Sequence, residues 1–294
     1  MVKLQSLVHF SEVPSQDMAN KELKHIGIIT KSNVLANKDI VEKTVKALLK
    51  YEREVMFDEH SAKIFNKKKG YRRNEILEKS DMVVVLGGDG TLLKTARCVG
   101  YHPVLIFGIN LGRVGFLSEI PPADIEKALK RIFVEKRFHI EKRFILRVTV
   151  YRKGKKIKTF LALNEAVINQ GAFARLIDLR TEINQRKVAH FRADGLIIST
   201  PTGSTGHALS AGGPIVHHDI EGIILTPICP AELANRAIII PNDRQIKIII
   251  ETKRREEKVD LGLTLDGQEM FPLHYGDEIK VRKSGREISF IRLS

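Results

Sequence analysis

The chain has 294 residues, with 49 Lys and Arg against 35 Asp and Glu, which gives a formal net charge of +14. This length predicts about two domains, and the 43% of apolar residues supply a sizeable core, which excludes a disordered or collagen-like chain. Apolar runs stay far below the about 18 residues of a membrane helix. The first residues also lack a secretory signal, so we expect a cytoplasmic protein without a membrane partner.

The excess of positive charge is concentrated in one stretch, residues 127–158, which holds 13 Lys and Arg against 2 Asp and Glu. A nucleic-acid site would combine such cations with exposed aromatic residues or a known motif, and neither is found. We therefore interpret the stretch as a solvated face and expect no nucleic-acid partner. Its field would still attract an anionic small molecule. Cys98 and Cys229 lie far apart without a C-x-x-C motif, which predicts buried free thiols.

The first half of the chain alternates between predicted strands and helices. Residues 1–24 have no strong period and are predicted to be a loosely attached extension. Residues 25–122 are predicted to form an α/β domain with a parallel, Rossmann-like sheet, because apolar runs there are followed by helical spacing. The predicted strands are 25–30, 82–86 and 104–108; the predicted helices are 41–51, 73–79 and 91–99, with a surface loop at 63–73.

The pattern changes near Pro122, where we place a domain boundary. After a predicted helix at 124–133, apolar residues alternate with a period of two, as in half-buried strands. These strands are predicted at 144–150, 155–162, 246–252 and 278–281, with hairpin turns at 153–154, 253–256 and 283–285. Residues 123–294 are therefore predicted to form a mostly-β domain, a β-sandwich.

A glycine-rich turn, Gly87-Gly88-Asp89-Gly90-Thr91, lies between an apolar strand and a predicted helix. Backbone N–H groups at such a helix start bind phosphate, and glycine lets the ligand approach closely. A carboxylate among phosphates is costly unless it accepts a proton from a reacting hydroxyl or reaches the phosphates through a metal ion. Asp89 and Thr91 could equally cap the helix, and the turn alone does not decide between the two interpretations. Neither a P-loop nor a dinucleotide fingerprint is present.

Two further segments carry polar groups after predicted strands. Asp194–Gly206 runs into a turn rich in Ser, Thr and Gly, followed by Leu209–Pro214, although hydroxyl side chains also build ordinary turns. The Asn164-Glu165 pair could bind a sugar diol, but by itself such a pair is usually two exposed polar residues without a binding role.

Taken together and in order, these motifs resemble those of the NAD kinases. The match includes Gly87–Thr91, Gly108–Leu117, Asn164-Glu165, Asp194–Ser210, Ala211–Pro214, Thr226–Pro230 and Asp266-Gly267-Gln268, and it spans about residues 25 to 285. The resemblance implies transfer of the terminal phosphoryl group of ATP, or of polyphosphate, to the 2′-hydroxyl of the adenosine ribose of NAD. It also implies Mg²⁺ or another divalent cation bound with ATP, and a homodimer or homotetramer.

The resemblance assigns a role to each matched residue. Asp89 corresponds to the general base, and Asn164 and Glu165 to the pair that holds the ribose hydroxyls. The remaining expected phosphate and dinucleotide contacts are Gly87, Gly88, Gly90, Lys94, Phe116, Arg175, Arg192, Asp194, Thr205, Gly206, His207, Ala208, Leu209, Ser210 and Gln268. No protein side chain is expected to ligate a metal directly.

The sequence departs from the family pattern at two places. Gly206-His207 stands where the family has Ala-Tyr, so an imidazole would replace an aromatic contact to the dinucleotide. Ala231-Glu232 stands where the family commonly has His-Ser. The chain also ends at Ser294, before the C-terminal segment of many members, from which we expect a difference in packing between the domains.

Two other function classes remain as alternatives. A lipid or other small-molecule kinase would share the GGDGT loop, but Asn164-Glu165 and Asp194–Ser210 argue against it. A non-catalytic protein that binds dinucleotides or nucleic acid would have no need for the carboxylate of Asp89.

Overall fold

A computed structural model describes residues 22–31, 34–100, 102–112, 115–170, 176–251 and 261–293. The chain divides into two compact units. Unit 1 comprises Met1–Leu92, His102–Lys142 and Ser289–Ser294, and unit 2 comprises Leu93–Tyr101 and Arg143–Ile288. Most of the predicted extension lies outside the described residues, but Leu23 is buried in the core of unit 1 and is thus firmly attached.

Unit 1 contains a parallel sheet in the order β2-β1-β3-β4, which confirms the predicted α/β domain. The strands are β1 (His25–Thr30), β2 (Glu54–Phe57), β3 (Met82–Gly87) and β4 (Leu105–Asn110). All residues of β3 and β4 are buried, as expected for strands covered on both faces. The carboxyl ends of β3 and β4 lie side by side, because Gly87 pairs with Asn110. This sheet edge positions the glycine turn.

Helices cover this sheet with their apolar faces. They are α1 (Lys38–Leu49), α2 (Ser61–Ile64), α3 (Arg73–Lys79), α4 (Asp89–Cys98) and α5 (Ile125–Lys130), which continues through a π-helical turn at Arg131–Glu135. Short 3-10 turns lie at Val34–Asn37 and Pro122–Asp124. Val45 and Leu48 of α1 share one apolar core with Leu129 of α5. Unit 1 therefore continues past Pro122, up to Lys142, because α5 buries its apolar face there.

Unit 2 is mostly β, as predicted, and its strands form two sets. A six-stranded antiparallel sheet has the order β12-β11-β10-β7-β14-β15. Hairpins β5-β6 and β8-β9 belong to the other set, in which β13 pairs with β8 and β16. Apolar side chains of both sets, such as Leu179 and Leu196, share one core. The strands are β5 (His139–Arg152), β6 (Lys155–Ala162), β7 (Glu165–Gln170), β8 (Ile177–Ile183), β9 (Arg186–Ala193), β10 (Gly195–Ser199), β11 (Gly222–Ile228), β12 (Ile238–Pro241), β13 (Ile246–Glu251), β14 (Leu261–Leu265), β15 (Glu269–Leu273) and β16 (Glu278–Arg292).

The structure corrects some local predictions. Residues 283–285 do not form a hairpin turn, because β16 runs through them without a break and Ser284 is buried. Cys98 and Cys229 are free thiols, but Cys98 is half-buried and Cys229 is exposed rather than buried. The hairpin predicted at 253–256 lies outside the described residues, whereas the turn at Lys153-Gly154 is confirmed. Among the described residues, no helix combines the length and apolar character that crossing a bilayer requires.

Candidate active site

The glycine turn, Gly87–Thr91, joins the end of β3 to the start of α4. A Cβ added at Gly87 would lie 2.5 Å from Oγ1 of Thr91, whereas a Cβ at Gly88 would meet nothing within 4 Å. Gly87 is thus required by close packing, and Gly88 borders open space at the start of the helix. The start of this 10-residue helix carries a partial positive charge from the helix dipole. The turn is suited to hold a phosphate group.

The carboxylate of Asp89 is oriented by the loop that follows β4. The backbone N–H of Phe116 donates to Oδ2 at 3.0 Å, and that of Leu117 donates to Oδ1 at 3.3 Å. A Cβ at Gly115 would lie 2.1 Å from Oδ1, so glycine is required beside the carboxylate. The side chain of Asp89 therefore accepts hydrogen bonds from a loop that is distant in sequence, and these contacts fix its orientation. The half-buried residue remains accessible from solvent.

Three further predicted contacts of this region are exposed. Phe116 is 70% exposed, which is unusual for a large apolar side chain and leaves its ring available to a ligand. Gly90 and Lys94 are exposed on α4.

In unit 2, Asn164 and Glu165 lie in what we call the Asn-Glu turn, Leu163–Glu165. The carboxylate of Asp266 accepts three successive backbone N–H groups of this turn: Leu163 donates to Oδ2 at 3.0 Å, and Asn164 and Glu165 donate to Oδ1 at 2.8 and 3.1 Å. Asp266 itself sits in the three-residue hairpin turn, residues 266–268, between β14 and β15, with φ of 50° there and 63° at Gly267. Asp266 therefore fixes the conformation of the Asn-Glu turn.

Glu165 is only 6% exposed, and its carboxyl lies close to a second carboxylate, that of Asp266. Burial, and then the charge of Asp266, raise the pKa of Glu165 from its ordinary 4.5 to about 7. Burial also raises the pKa of Asp266, although the three N–H donors oppose that effect. Oε2 of Glu165 and Oδ1 of Asn164 are buried without a hydrogen-bond partner among the described residues. Such groups are costly to leave unpaired, so a water molecule or a polar ligand is needed to complete them.

The hydroxyl turn, Ser199–Ser210, lies beside the Asn-Glu turn and includes a 3-10 turn at Thr202–Thr205 and the short helix α6, His207–Ser210. The hydroxyl of Thr200 donates to the carbonyl of Leu163 at 2.6 Å, so it builds the local structure. Gly203 packs on the same turn, since a Cβ there would lie 2.2 Å from the carbonyl oxygen of Asn164. A Cβ at Gly206 would lie 3.8 Å from Oε2 of Glu165. Unit 2 thus brings these residues into one site.

The other predicted dinucleotide contacts differ in how exposed they are. His207, Leu209 and Ser210 are exposed, Thr205 is half-buried, and Gln268 is half-buried in the hairpin of Asp266. Ala208 is fully buried against Val167 and Ile197, so its side chain is a core group and not a ligand contact. Arg175 lies outside the described residues.

Arg192 and Asp194 precede β10, whereas the Asn-Glu turn lies at its other end. Ser199 pairs with Glu165, and Gly195 pairs with Asn169, so four residue steps along the strand, or roughly 13 Å, separate the two ends. Arg192 is exposed and Asp194 is half-buried. The structure therefore does not bring these two residues into contact with the Asn-Glu turn.

Two residues of the site were given no role by the sequence analysis. Gly115 and Asp266 both lie inside matched motifs, but their functions depend on contacts with distant residues. An Asp-Gly pair is a signal for a tight hairpin, which would have placed Asp266 in a turn without revealing its partners.

Comparisons with known proteins match most of the chain. The family model for the ATP-NAD kinase N-terminal domain matches residues 26–138, and the model for the ATP-NAD kinase C-terminal domain matches residues 163–293. The NAD kinase of Geotalea daltonii is 42% identical over 92% of this chain and 93% of its own length. The NAD kinase of Caldanaerobacter subterraneus is 38% identical over 92% of this chain and 94% of its own length.

Two solved structures are similar over most of the chain. Yeast NADH kinase in complex with NADH has a TM-score of 0.84 and 25% identity, covering 94% of this chain and 85% of the yeast chain. An NAD kinase from Archaeoglobus fulgidus in complex with ATP has a TM-score of 0.72 and 28% identity, covering 92% of this chain and 94% of the archaeal one. The glycine turn and the hydroxyl turn fall within the residues that the two family models match.

Proposed function

The chain belongs to the NAD kinase family of phosphotransferases, and on this basis we propose that it transfers the terminal phosphoryl group of ATP, or of polyphosphate, to NAD. The acceptor is the 2′-hydroxyl of the adenosine ribose, and the product is NADP. The observation that carries the proposal is the carboxylate of Asp89, held by two backbone N–H groups next to the open glycine turn.

Asp89 acts as the general base. As the ribose 2′-oxygen forms its bond to the terminal phosphorus, the bond from that phosphorus to the bridging oxygen of the donor breaks, and the hydroxyl proton passes to the carboxylate. A positioned base of this kind contributes typically 10²–10⁴-fold to the rate. The N–H donors of the glycine turn hold donor phosphates, because phosphoryl transfer depends mainly on positioning and charge neutralisation.

The Asn-Glu turn binds the hydroxyls of the acceptor ribose. Its support is the pair of buried, unpartnered atoms, Oδ1 of Asn164 and Oε2 of Glu165. With a pKa of about 7, Glu165 is partly protonated at neutral pH, so it can donate a hydrogen bond as well as accept one. A sugar hydroxyl also does both, which makes the two groups complementary. Phe116 supplies an apolar contact through its exposed ring.

A divalent cation such as Mg²⁺ fits the glycine turn. The turn contributes one carboxylate, that of Asp89, and otherwise backbone N–H donors, so the ion would be held mainly by donor phosphate oxygens and water. When bound, the ion neutralises the charge that develops on the phosphates. The family resemblance is also the support for a homodimer or homotetramer, and light scattering would measure the oligomeric state. The cytoplasmic location stays a prediction from the sequence.

The decisive experiment incubates the purified protein with NAD, ATP and Mg²⁺ and measures NADP. The wild type should form NADP, and Asp89→Asn should lower kcat by at least about 10²-fold. Asp243→Asn, which removes an exposed carboxylate elsewhere, is the matched control and should retain full activity. Absence of NADP with ATP or polyphosphate and with every divalent cation would refute the proposal. Phosphorylation of a lipid instead would favour the alternative kinase class, and steeply salt-dependent nucleic-acid binding without NADP formation would favour a binding protein.

A further inference from the structure

A cluster of metal-ligating side chains lies outside the residues used above. His217, His218 and Asp219 follow the hydroxyl turn, and one ligand atom from each lies within 4.8 Å of the other two. Adjacent residues usually point their side chains apart. Here a tight turn makes them converge, because the backbone N–H of Ile220 donates to the carbonyl of His217 at 3.0 Å.

The geometry of the cluster centres on one carboxylate. Nδ1 of His217 lies 3.1 Å from Oδ2 of Asp219, and Nε2 of His218 lies 3.3 Å from Oδ1. The two imidazole rings stack with centroids 4.2 Å apart. These nitrogen–oxygen distances fit either an N–H···O hydrogen bond from each ring or a metal ion shared by the ring nitrogens and the carboxylate.

The distances also suit metal coordination. Ligand atoms bound at about 2.0–2.1 Å in a tetrahedral site lie roughly 3.3 Å apart, close to both of the nitrogen–oxygen distances. The third distance, at most 4.8 Å, can close by rotation, because the side chains of His217 and Asp219 are more than half exposed. Imidazole nitrogen with one carboxylate favours Zn²⁺, Ni²⁺, Co²⁺ or Cu²⁺, whereas Mg²⁺ prefers oxygen ligands.

We propose that His217, His218 and Asp219 form a binding site for a first-row transition-metal dication. The site differs in chemistry from the Mg²⁺ that accompanies ATP, since two of its three ligands are imidazole nitrogens. Water completes the coordination, because the protein supplies three ligands and the turn is accessible from solvent.

The turn that carries this cluster is anchored to the hydroxyl turn. The backbone N–H of Val216 donates to the hydroxyl of Ser204 at 3.0 Å, and that hydroxyl lies 3.2 Å from the carbonyl of Val216. The backbone N–H of Gly213 also donates to the carbonyl of Ala208 at 2.8 Å. A metal ion would therefore stiffen a segment attached to the proposed dinucleotide contacts. This consequence rests on the proposed function, whereas the metal site does not.

The test is a calorimetric titration of the full chain, free of nucleotide, with Ni²⁺ and separately with Zn²⁺ and Mg²⁺ at neutral pH. The wild type should bind one Ni²⁺ or Zn²⁺ and show no comparable heat with Mg²⁺. His217→Gln, His218→Gln and Asp219→Asn should each weaken Ni²⁺ binding by at least about tenfold, since even outer contacts of a metal site are worth that much. His274→Gln, which removes an exposed histidine of another turn, is the matched control and should bind like the wild type.

A second readout locates the ion directly. Paramagnetic Ni²⁺ should broaden the NMR signals of the His217 and His218 rings at lower concentrations than those of the His274 ring. Circular dichroism verifies that each variant is folded. The proposal is overturned if the wild type binds Ni²⁺ no more tightly than the folded variant His217→Gln. It is equally overturned if His274 is broadened first. Neither result would depend on formation of NADP, so failure of this site and failure of the proposed function are distinguishable.

Discussion

Glu165→Gln is expected to make the protein more stable at neutral and alkaline pH, although it removes a polar group of the candidate site. The carboxyl of Glu165 is buried next to Asp266, and its pKa is raised from 4.5 to about 7. Ionisation of Glu165 in the folded protein is therefore unfavourable. Glutamine has nearly the same shape and no charge, so it avoids this cost at every pH.

The size and sign of the effect follow from the two pKa values. Because the pKa in the folded protein lies above that of the free side chain, the stability that this group contributes is fully present below pH 4.5 and is lost as the pH rises to 7. The shift corresponds to about 3 kcal/mol of unfolding free energy. The difference in unfolding free energy between Glu165→Gln and the wild type should therefore increase by about 3 kcal/mol in favour of the variant as the pH rises from below 4.5 to above 7.

Urea unfolding measures the difference. The chain has no Trp, so the transition is followed by far-UV circular dichroism at several pH values between about 4.5 and 8. Glu78→Gln, which removes an exposed carboxylate of α3, is the control and should follow the wild type. Parallel pH profiles for the wild type and Glu165→Gln would refute the reasoning, because they would show that Glu165 ionises as easily in the folded chain as in the unfolded one.

Three further substitutions test the geometry of the site. Gly115→Ala places a methyl group against the carboxylate of Asp89 and should lower kcat on the order of 10²-fold. Gly112→Ala is the control, because its methyl group would enter open space in the same loop, and it should leave kcat unchanged. Equal kcat values for the two variants would contradict the assigned geometry. Gly203→Ala forces a methyl group into the Asn-Glu turn. It should destabilise the protein by about 1–3 kcal/mol in thermal unfolding and raise the KM for NAD. An unchanged Tm would show that the turn can move to accommodate the methyl group. His207→Tyr should tighten NAD binding by roughly 0.5–1.5 kcal/mol in calorimetry if the exposed ring stacks on the dinucleotide, and an unchanged Kd would place the ring elsewhere.

Much of the fold could be predicted from local sequence. The apolar run of β3, the glycines after it and the helical residues of α4 specify a strand, a turn and a helix without help from distant residues. The hairpin turn at Lys153-Gly154 was equally clear, because its residues suit positive φ angles. The hairpin turn predicted at residues 283–285 was wrong. The same kind of turn signal lies there inside a long strand, β16, whose pairing with distant strands keeps it extended.

The candidate site likewise has some features that local sequence predicts and others that depend on contacts between distant residues. Local sequence patterns are sufficient to predict the α/β and mostly-β character of the two halves, the glycine turn after β3 and the identity of the polar groups, because periodicity and glycine turns act over a few residues. The three-dimensional fold was needed to show that Asp89 accepts N–H groups from Phe116 and Leu117, and that Asp266 holds the Asn-Glu turn. It also decided that Glu165 is buried beside a second carboxylate and has a raised pKa. These properties depend on hydrogen bonds and burial between residues far apart in sequence, and local propensity contains no information about such contacts.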